Sequence, residues 1–278
     1  MRLLPALAGL GLAAYGWAMA RLYFGQARRL YLASRDMVTT PAAHGYDYES
    51  VHFPTADGLT LHGWFVPRAD ATHVLCFFHG NRGNISNRME TIELFHAMGF
   101  SLFLFDYRGY GESEGVPDEA GTYLDGAAAW HHLTRMRGVD AGRIVMLGRS
   151  LGAAIAAATA VHHRPAALVL ESTFTSLPEA AAAHHPLLPV RLLARYRYPV
   201  EDFVRRIHCP ILVIHSREDE VIPYAQGRRL FAAAHPPKEF LEIGGRHYDG
   251  YLTSGARYVQ GLKDFFRRHL KDFSPPTE

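Results

Sequence analysis

Gly148-Arg149-Ser150-Leu151-Gly152 lies between an apolar run, Arg143–Leu147, and an alanine-rich stretch, Leu151–His163. The first flank reads as a strand and the second as a helix. A chain that passes from strand to helix within five residues must bend sharply. The serine at such a bend is held in a strained backbone conformation, with its hydroxyl raised above the sheet. The two glycines remove side chains that would collide there. The helix start behind the serine presents free N–H groups and the positive end of the helix dipole to a developing oxyanion. A simple glycine turn would need neither flank. Ser150 is therefore the expected nucleophile, with the N–H of Leu151 as one oxyanion donor.

The same strand-and-helix rhythm extends in both directions. Tyr48–Phe53 and Leu59–Val66 alternate apolar and polar residues around Ala56-Asp57-Gly58, a hairpin signal. Val74–Phe78, Ser101–Phe105, Ala167–Leu170, Ile211–Ile214 and Glu239–Ile243 read as further strands. Thr91–Met98, Ala120–Met136 and Tyr251–Leu270 have helical spacing. Continuous apolar strands separated by helices predict an α/β fold, a mostly parallel sheet with helices on both faces. Functional residues then collect at the carboxyl ends of the strands. Ser176–Val200 carries Pro178, Pro186, Pro189 and Pro199, breaks the rhythm, and is expected to form a small cap-like insertion.

A serine on such a turn is followed in the chain by an acid and then a histidine. His247, in Gly244-Gly245-Arg246-His247-Tyr248-Asp249-Gly250, follows the last strand and is the expected base. His215 precedes the acid candidates, and His269 lies in the terminal helix. Asp219 is the expected acid: it follows strand Ile211–Ile214 and precedes a helix opened by Pro223. Its neighbours Glu218 and Glu220 are read as solvated, and Glu171 is the second choice. Asp106 is read as a loop organiser. The loop His79-Gly80-Asn81-Arg82-Gly83-Asn84 follows Val74–Phe78, so the backbone N–H of Asn81 is the second expected oxyanion donor. His79 is read as structural, and Asn84 or Ser86 as a cap on the next helix.

Composition narrows the field. The 278 residues are 48% hydrophobic and 20% charged, with a formal net charge of +2. No basic run with interleaved aromatics points to nucleic acid. The 17 histidines lack metal-site spacing, so no metal is expected. Cys76 and Cys209 read as free thiols rather than a disulfide.

Leu3–Ala20 carries no charge over about 18 residues, just enough to span a bilayer, and Tyr15, Trp17, Tyr23 and Phe24 lie near its end. The reading adopted is a single-pass N-terminal membrane anchor. A signal peptide cleaved after Ala18-Met19-Ala20, leaving a secreted or periplasmic protein, and a buried core helix are the alternatives. The expected division is an apolar segment 1–24, a linker 25–47, a catalytic domain 48–272 and a disordered tail 273–278.

These motifs, in this order, resemble the single-domain α/β-hydrolases from about Tyr48 to the last helix. His79-Gly80-Asn81, Asp106-Tyr107-Arg108-Gly109-Tyr110-Gly111, the Ser150 turn, Glu171-Ser172-Thr173-Phe174 and the Asp219–Pro223 stretch together resemble the membrane-anchored branch that includes protein depalmitoylases and bacterial relatives. The resemblance implies a serine hydrolase of carboxylic esters or thioesters, with a lipid-like or small acyl substrate and no cofactor. Ser216 stands where relatives often have glycine, and Arg246 where many have a smaller residue. The alternatives are a serine peptidase of the same fold and a catalytically silent, membrane-attached binding protein.

Overall fold

The computed structural model describes residues 15–17 and 19–276. Strands β1 (Leu32–Ala33) and β5 (Arg82–Gly83) form a small parallel pair. The other eight make one sheet: β2 (Glu49–Pro54), β3 (Thr60–Val66), β4 (Val74–Phe78), β6 (Ser101–Phe105), β7 (Ile144–Arg149), β8 (Ala167–Glu171), β9 (Ile211–Ser216) and β10 (Lys238–Ile243). Their spatial order is β10-β9-β8-β7-β4-β6-β3-β2. β2 pairs antiparallel with β3, and β3 with β6; every other pair is parallel.

The apolar runs are continuous because both sheet faces are covered. Successive side chains point to opposite faces. Ile144 and Met146 of β7, with Val74, Cys76 and Phe78 of β4, join a core built against helices Glu119–His131 and Leu151–His162. Val145, Leu147, Leu75 and Phe77 join the opposite core, against helices Met89–Ala97 and Gly250–His269. Helix Leu151–His162 is alanine-rich because it lies deep between sheet and neighbours, with Leu151 through Ala160 all buried. A Cβ at Gly152 would stand 2.1 Å from the Phe78 carbonyl oxygen, and one at Gly148 2.4 Å from Ala153 Cα. Both contacts are with backbone, so only glycine lets this helix lie so close to β4 and β7.

Three expectations about the chain ends are corrected. Residues 25–47 do not form a free linker. Tyr31 is buried and its hydroxyl is 2.8 Å from that of Tyr198, β1 pairs with β5, and Gln26 Nε2 donates to the Leu193 carbonyl at 2.7 Å. Residues 273–276 do not form a disordered tail, since Phe273 is buried and stacks on Phe100 at 4.8 Å. The single-pass anchor is overturned: among the described residues, no helix is long and apolar enough to cross a membrane. Residues 1–14 and Ala18 of the apolar run lie outside the described residues. The helical residues that follow are broken at Gly25 and carry Arg21, Arg28 and Arg29, so they do not extend an apolar span.

The insertion Ser176–Val200 folds as two short helices, Leu177–His184 and Val190–Leu193. It rests on helix Gln26–Leu30, with Arg195 N–H donating to Gln26 Oε1 at 2.9 Å. An apolar groove of about 290 Å³ runs between them, lined by Leu22, Leu30, Leu177, Leu188 and Leu193 among others.

Candidate active site

Four loops at the carboxyl ends of β4, β7, β9 and β10 converge. Ser150 leaves β7 with φ 54° and ψ −119°, a left-handed conformation that costs a non-glycine residue roughly 1–3 kcal/mol. The turn is pinned from both sides: Ser150 N–H donates to the Glu171 carbonyl at 2.9 Å, and Thr173 Oγ1 donates to the Ser150 carbonyl at 2.9 Å.

β9 and β10 are parallel neighbours, so their following loops lie side by side. This brings His247 Nε2 to 3.1 Å from Ser150 Oγ. His247 Nδ1 lies 2.8 Å from Asp219 Oδ2 and 3.0 Å from Oδ1. Asp219 Oδ1 also accepts the N–H groups of Val221 at 2.9 Å and Ile222 at 2.7 Å. Burial pushes the Asp219 carboxyl up, but the His247 hydrogen bond and charge, the Ile222 N–H and His215 together hold it below its ordinary value. Asp219 therefore stays ionised at neutral pH.

The other candidates occupy supporting positions. His215 is fully buried behind the acid; its Nε2–H donates to the Ile222 carbonyl at 2.9 Å and lies 3.5 Å from Asp219 Oδ2. Burial holds His215 below the ordinary histidine range. Glu171, the second choice as acid, binds Arg149 at 2.9 Å and the Tyr258 hydroxyl at 2.7 Å. His269 pairs with Glu239 at 2.7 Å. His79 Nδ1–H donates to the Gly80 carbonyl at 2.7 Å, and Asp106 Oδ1 accepts Ile85 N–H at 2.9 Å.

Glu218 and Glu220 are not simply solvated. Glu218 Oε2 accepts Gly245 N–H at 2.9 Å, and Glu220 Oε2 accepts His247 N–H at 3.1 Å. That bond, first among several, holds the Glu220 carboxyl below its ordinary value. The two glutamates on either side of Asp219 thus tie the acid loop to the histidine loop, fixing both ends of the His247–Asp219 contact.

Asn81 is held in place by its side chain and carbonyl: Nδ2 donates to the Leu30 carbonyl at 2.7 Å, and its carbonyl accepts Leu32 N–H and the Tyr110 hydroxyl, each at 2.9 Å. Leu151 is the first residue of its helix, where N–H groups have no intrahelical acceptor. Asn81, Ser150, His247 and Tyr248 line a common cavity of about 120 Å³.

Both cysteines are free. His52, His62 and Glu112 form the one cluster among the described residues that could approach a metal. Glu112 Oε2 is 4.0 Å from each histidine Nε2, whereas ligands on one zinc stand about 3.4 Å apart. Its histidines sit on the β2–β3 hairpin and Glu112 in the loop after β6, with β4 and β6 between β3 and β7. It is separate from Ser150.

The family described as serine aminopeptidase, S33, matches residues 69–200. The protein Rv2307c of Mycobacterium tuberculosis is 38% identical over 267 residues, covering 95% of each chain. The α/β-hydrolase domain-containing protein WAV2 of Arabidopsis thaliana is 31% identical, covering 86% of this chain and 85% of its own. The chain belongs to the α/β-hydrolase family. An esterase of Pyrococcus furiosus superposes on this α/β-hydrolase with a TM-score of 0.73 over 87% of this chain and 98% of its own, at 18% identity, which shows a shared fold.

One stability prediction follows from the β7–β8 ends of this hydrolase. Arg149 is fixed by Glu171, whose side chain is 2% exposed. Burial disfavours the guanidinium, but the charge and hydrogen bond of Glu171, together with Tyr258 and Tyr251, outweigh it and raise the Arg149 pKa above its ordinary value. Arg149→Met would leave Glu171 buried with only the Tyr258 hydroxyl. Removing one partner of a buried pair typically destabilises by about 3–5 kcal/mol. Urea unfolding of both proteins should show the midpoint falling with an unchanged slope; an unchanged midpoint would mean that the pair contributes nothing.

Proposed function

We propose that this α/β-hydrolase cleaves carboxylic esters or thioesters through an acyl-enzyme on Ser150. The observation that carries the reading is the unbroken chain from Ser150 Oγ to His247 Nε2 at 3.1 Å and from His247 Nδ1 to Asp219 at 2.8 Å. In this reading His247 Nε2 takes the hydroxyl proton as Ser150 Oγ bonds to the acyl carbon. The oxyanion then forms against the N–H groups of Asn81 and Leu151. The C–O or C–S bond breaks as His247 returns the proton to the leaving group. Water, deprotonated by the same nitrogen, releases the acid and restores Ser150. Asp219 holds the imidazole in the tautomer with hydrogen on Nδ1 and stabilises the imidazolium between the two transfers.

The strained φ of Ser150 supports an active enzyme over a silent binding protein, since a binding surface has no use for a strained serine. The S33 family description favours an aminopeptidase as the second reading. An aminopeptidase must hold a free, cationic amino terminus. The cavity at Ser150 instead carries Arg82, Arg88 and Arg149 and no carboxylate among its lining residues, which supports the ester reading.

Turnover of p-nitrophenyl esters of increasing chain length, matched thioesters and amino-acid p-nitroanilides tests the choice. The esters or thioesters should show an initial burst equal to the enzyme concentration and a higher kcat/KM than any anilide. Faster cleavage of the anilides would overturn the proposal.

A further inference from the structure

The cavity above Ser150 has an unusual charge balance. Three of its lining residues are arginines: Arg82, Arg88 and Arg149. Arg149 is neutralised by Glu171 behind it. Arg82 and Arg88 have no carboxylate within 4.0 Å among the described residues. The Arg88 guanidinium is held only by main-chain carbonyls, those of Arg82 and Asn87, and its Nε is buried without an acceptor. Burial first, and then the neighbouring Arg149 charge, push Arg88 below its ordinary pKa, only partly offset by Asp106. A cation kept partly desolvated beside another cation is relieved by an anion. Arg82 adds a second positive charge at the rim, where its guanidinium stands 6.0 Å from the centre of the Tyr248 ring.

Resting on the hydrolase reading above, we propose that the substrate is an anionic ester or thioester, whose carboxylate, sulfonate or phosphate group is bound by Arg88 and Arg82 within a few bonds of the scissile carbonyl. Size sets that distance. The cleft is small, about 120 Å³, and Ser150, Arg82 and Arg88 all line it, so an anion held by the two arginines lies close to the carbonyl that meets Ser150. Arginine suits the role because its planar fork of donors matches the paired oxygens of such anions. The charge can sit on the acyl side or on the leaving group, and the two sources separate by experiment.

Two matched pairs of substrates make the test: 3-acetoxybenzoate against 3-acetoxybenzamide, with the charge on the leaving group, and phenyl 5-sulfopentanoate against phenyl pentanoate, with the charge on the acyl chain. The wild-type enzyme should favour the anionic member of at least one pair by about tenfold in kcat/KM, the scale of one charge-assisted hydrogen bond. The preferred pair identifies the side. Arg88→Gln should bring that ratio close to one, Arg82→Gln should lower it less, and Arg88→Lys should retain part of it. Ratios within twofold in the wild type for both pairs would overturn the proposal, whether or not the variants fold. Calorimetric binding of 3-acetoxybenzoate to Ser150→Ala protein keeps this test apart from the hydrolase reading. Arginine-dependent binding without turnover by the wild type would keep the anion site and sink the hydrolase. Turnover of the neutral esters with no anion preference would do the reverse.

Discussion

Ser150→Ala is expected to reduce ester turnover to background. The hydroxyl is the only atom lost, and it stands at the end of the His247 contact rather than inside a packed core. The strained turn is held by backbone and neighbour bonds that alanine keeps, the Glu171 carbonyl from Ser150 N–H and the Thr173 hydroxyl on the Ser150 carbonyl. The melting temperature should therefore change little. In subtilisin, deletion of the nucleophile alone lowers kcat by about 10⁶-fold. Steady-state assays with p-nitrophenyl esters and a thermal melt of both proteins check the prediction. Retained turnover would remove Ser150 from the mechanism, and collapse of the fold would show that the hydroxyl does structural work.

The second large effect belongs to the acid. Asp219→Asn should lower kcat by about 10⁴-fold, the size of the corresponding change in serine proteases. The geometry gives a local reason. Asp219 Oδ1 accepts the N–H groups of Val221 and Ile222, and an asparagine can keep both only by placing its carbonyl oxygen there. Its amide nitrogen then takes the place of Oδ2, 2.8 Å from His247 Nδ1. An amide donor at that position demands a bare Nδ1, so the ring hydrogen moves to Nε2. His247 then faces Ser150 with a proton and cannot accept one. Glu171→Gln is the control, because Glu171 binds Arg149 and Tyr258 and no part of His247. A greater loss of activity from Glu171→Gln than from Asp219→Asn would show that the acid has been chosen wrongly.

The sheet was legible because buried parallel strands leave uninterrupted apolar runs, and the eight in the main sheet lie within a residue or two of where those runs place them. That Ser150, Asp219 and His247 would meet was legible for a different reason. Each follows a strand end, and chain order alone assigns them the proposed roles of nucleophile, acid and base. What the sequence hid are contacts between distant segments made by unremarkable side chains. Tyr31 meets Tyr198 across 167 residues, and nothing local distinguishes Tyr31 from a linker residue. Glu218 and Glu220 look like any solvated acid until β9 and β10 place their loops side by side. The cluster of Arg82, Arg88 and Arg149 draws on two segments of chain, so no single motif announces it. The apolar run at the N-terminus misled because a count of uncharged residues fixes neither where a helix ends nor how many charges follow within it.

Labelling with a fluorophosphonate, followed by intact-mass and peptide mapping, tests the central claim most directly. The reagent phosphonylates a serine only where a neighbouring base and an oxyanion site activate it. The wild-type protein should gain one adduct per chain, located on Ser150, and Ser150→Ala should gain none. A wild-type protein that remains unlabelled, or an adduct that persists in Ser150→Ala, would contradict the account.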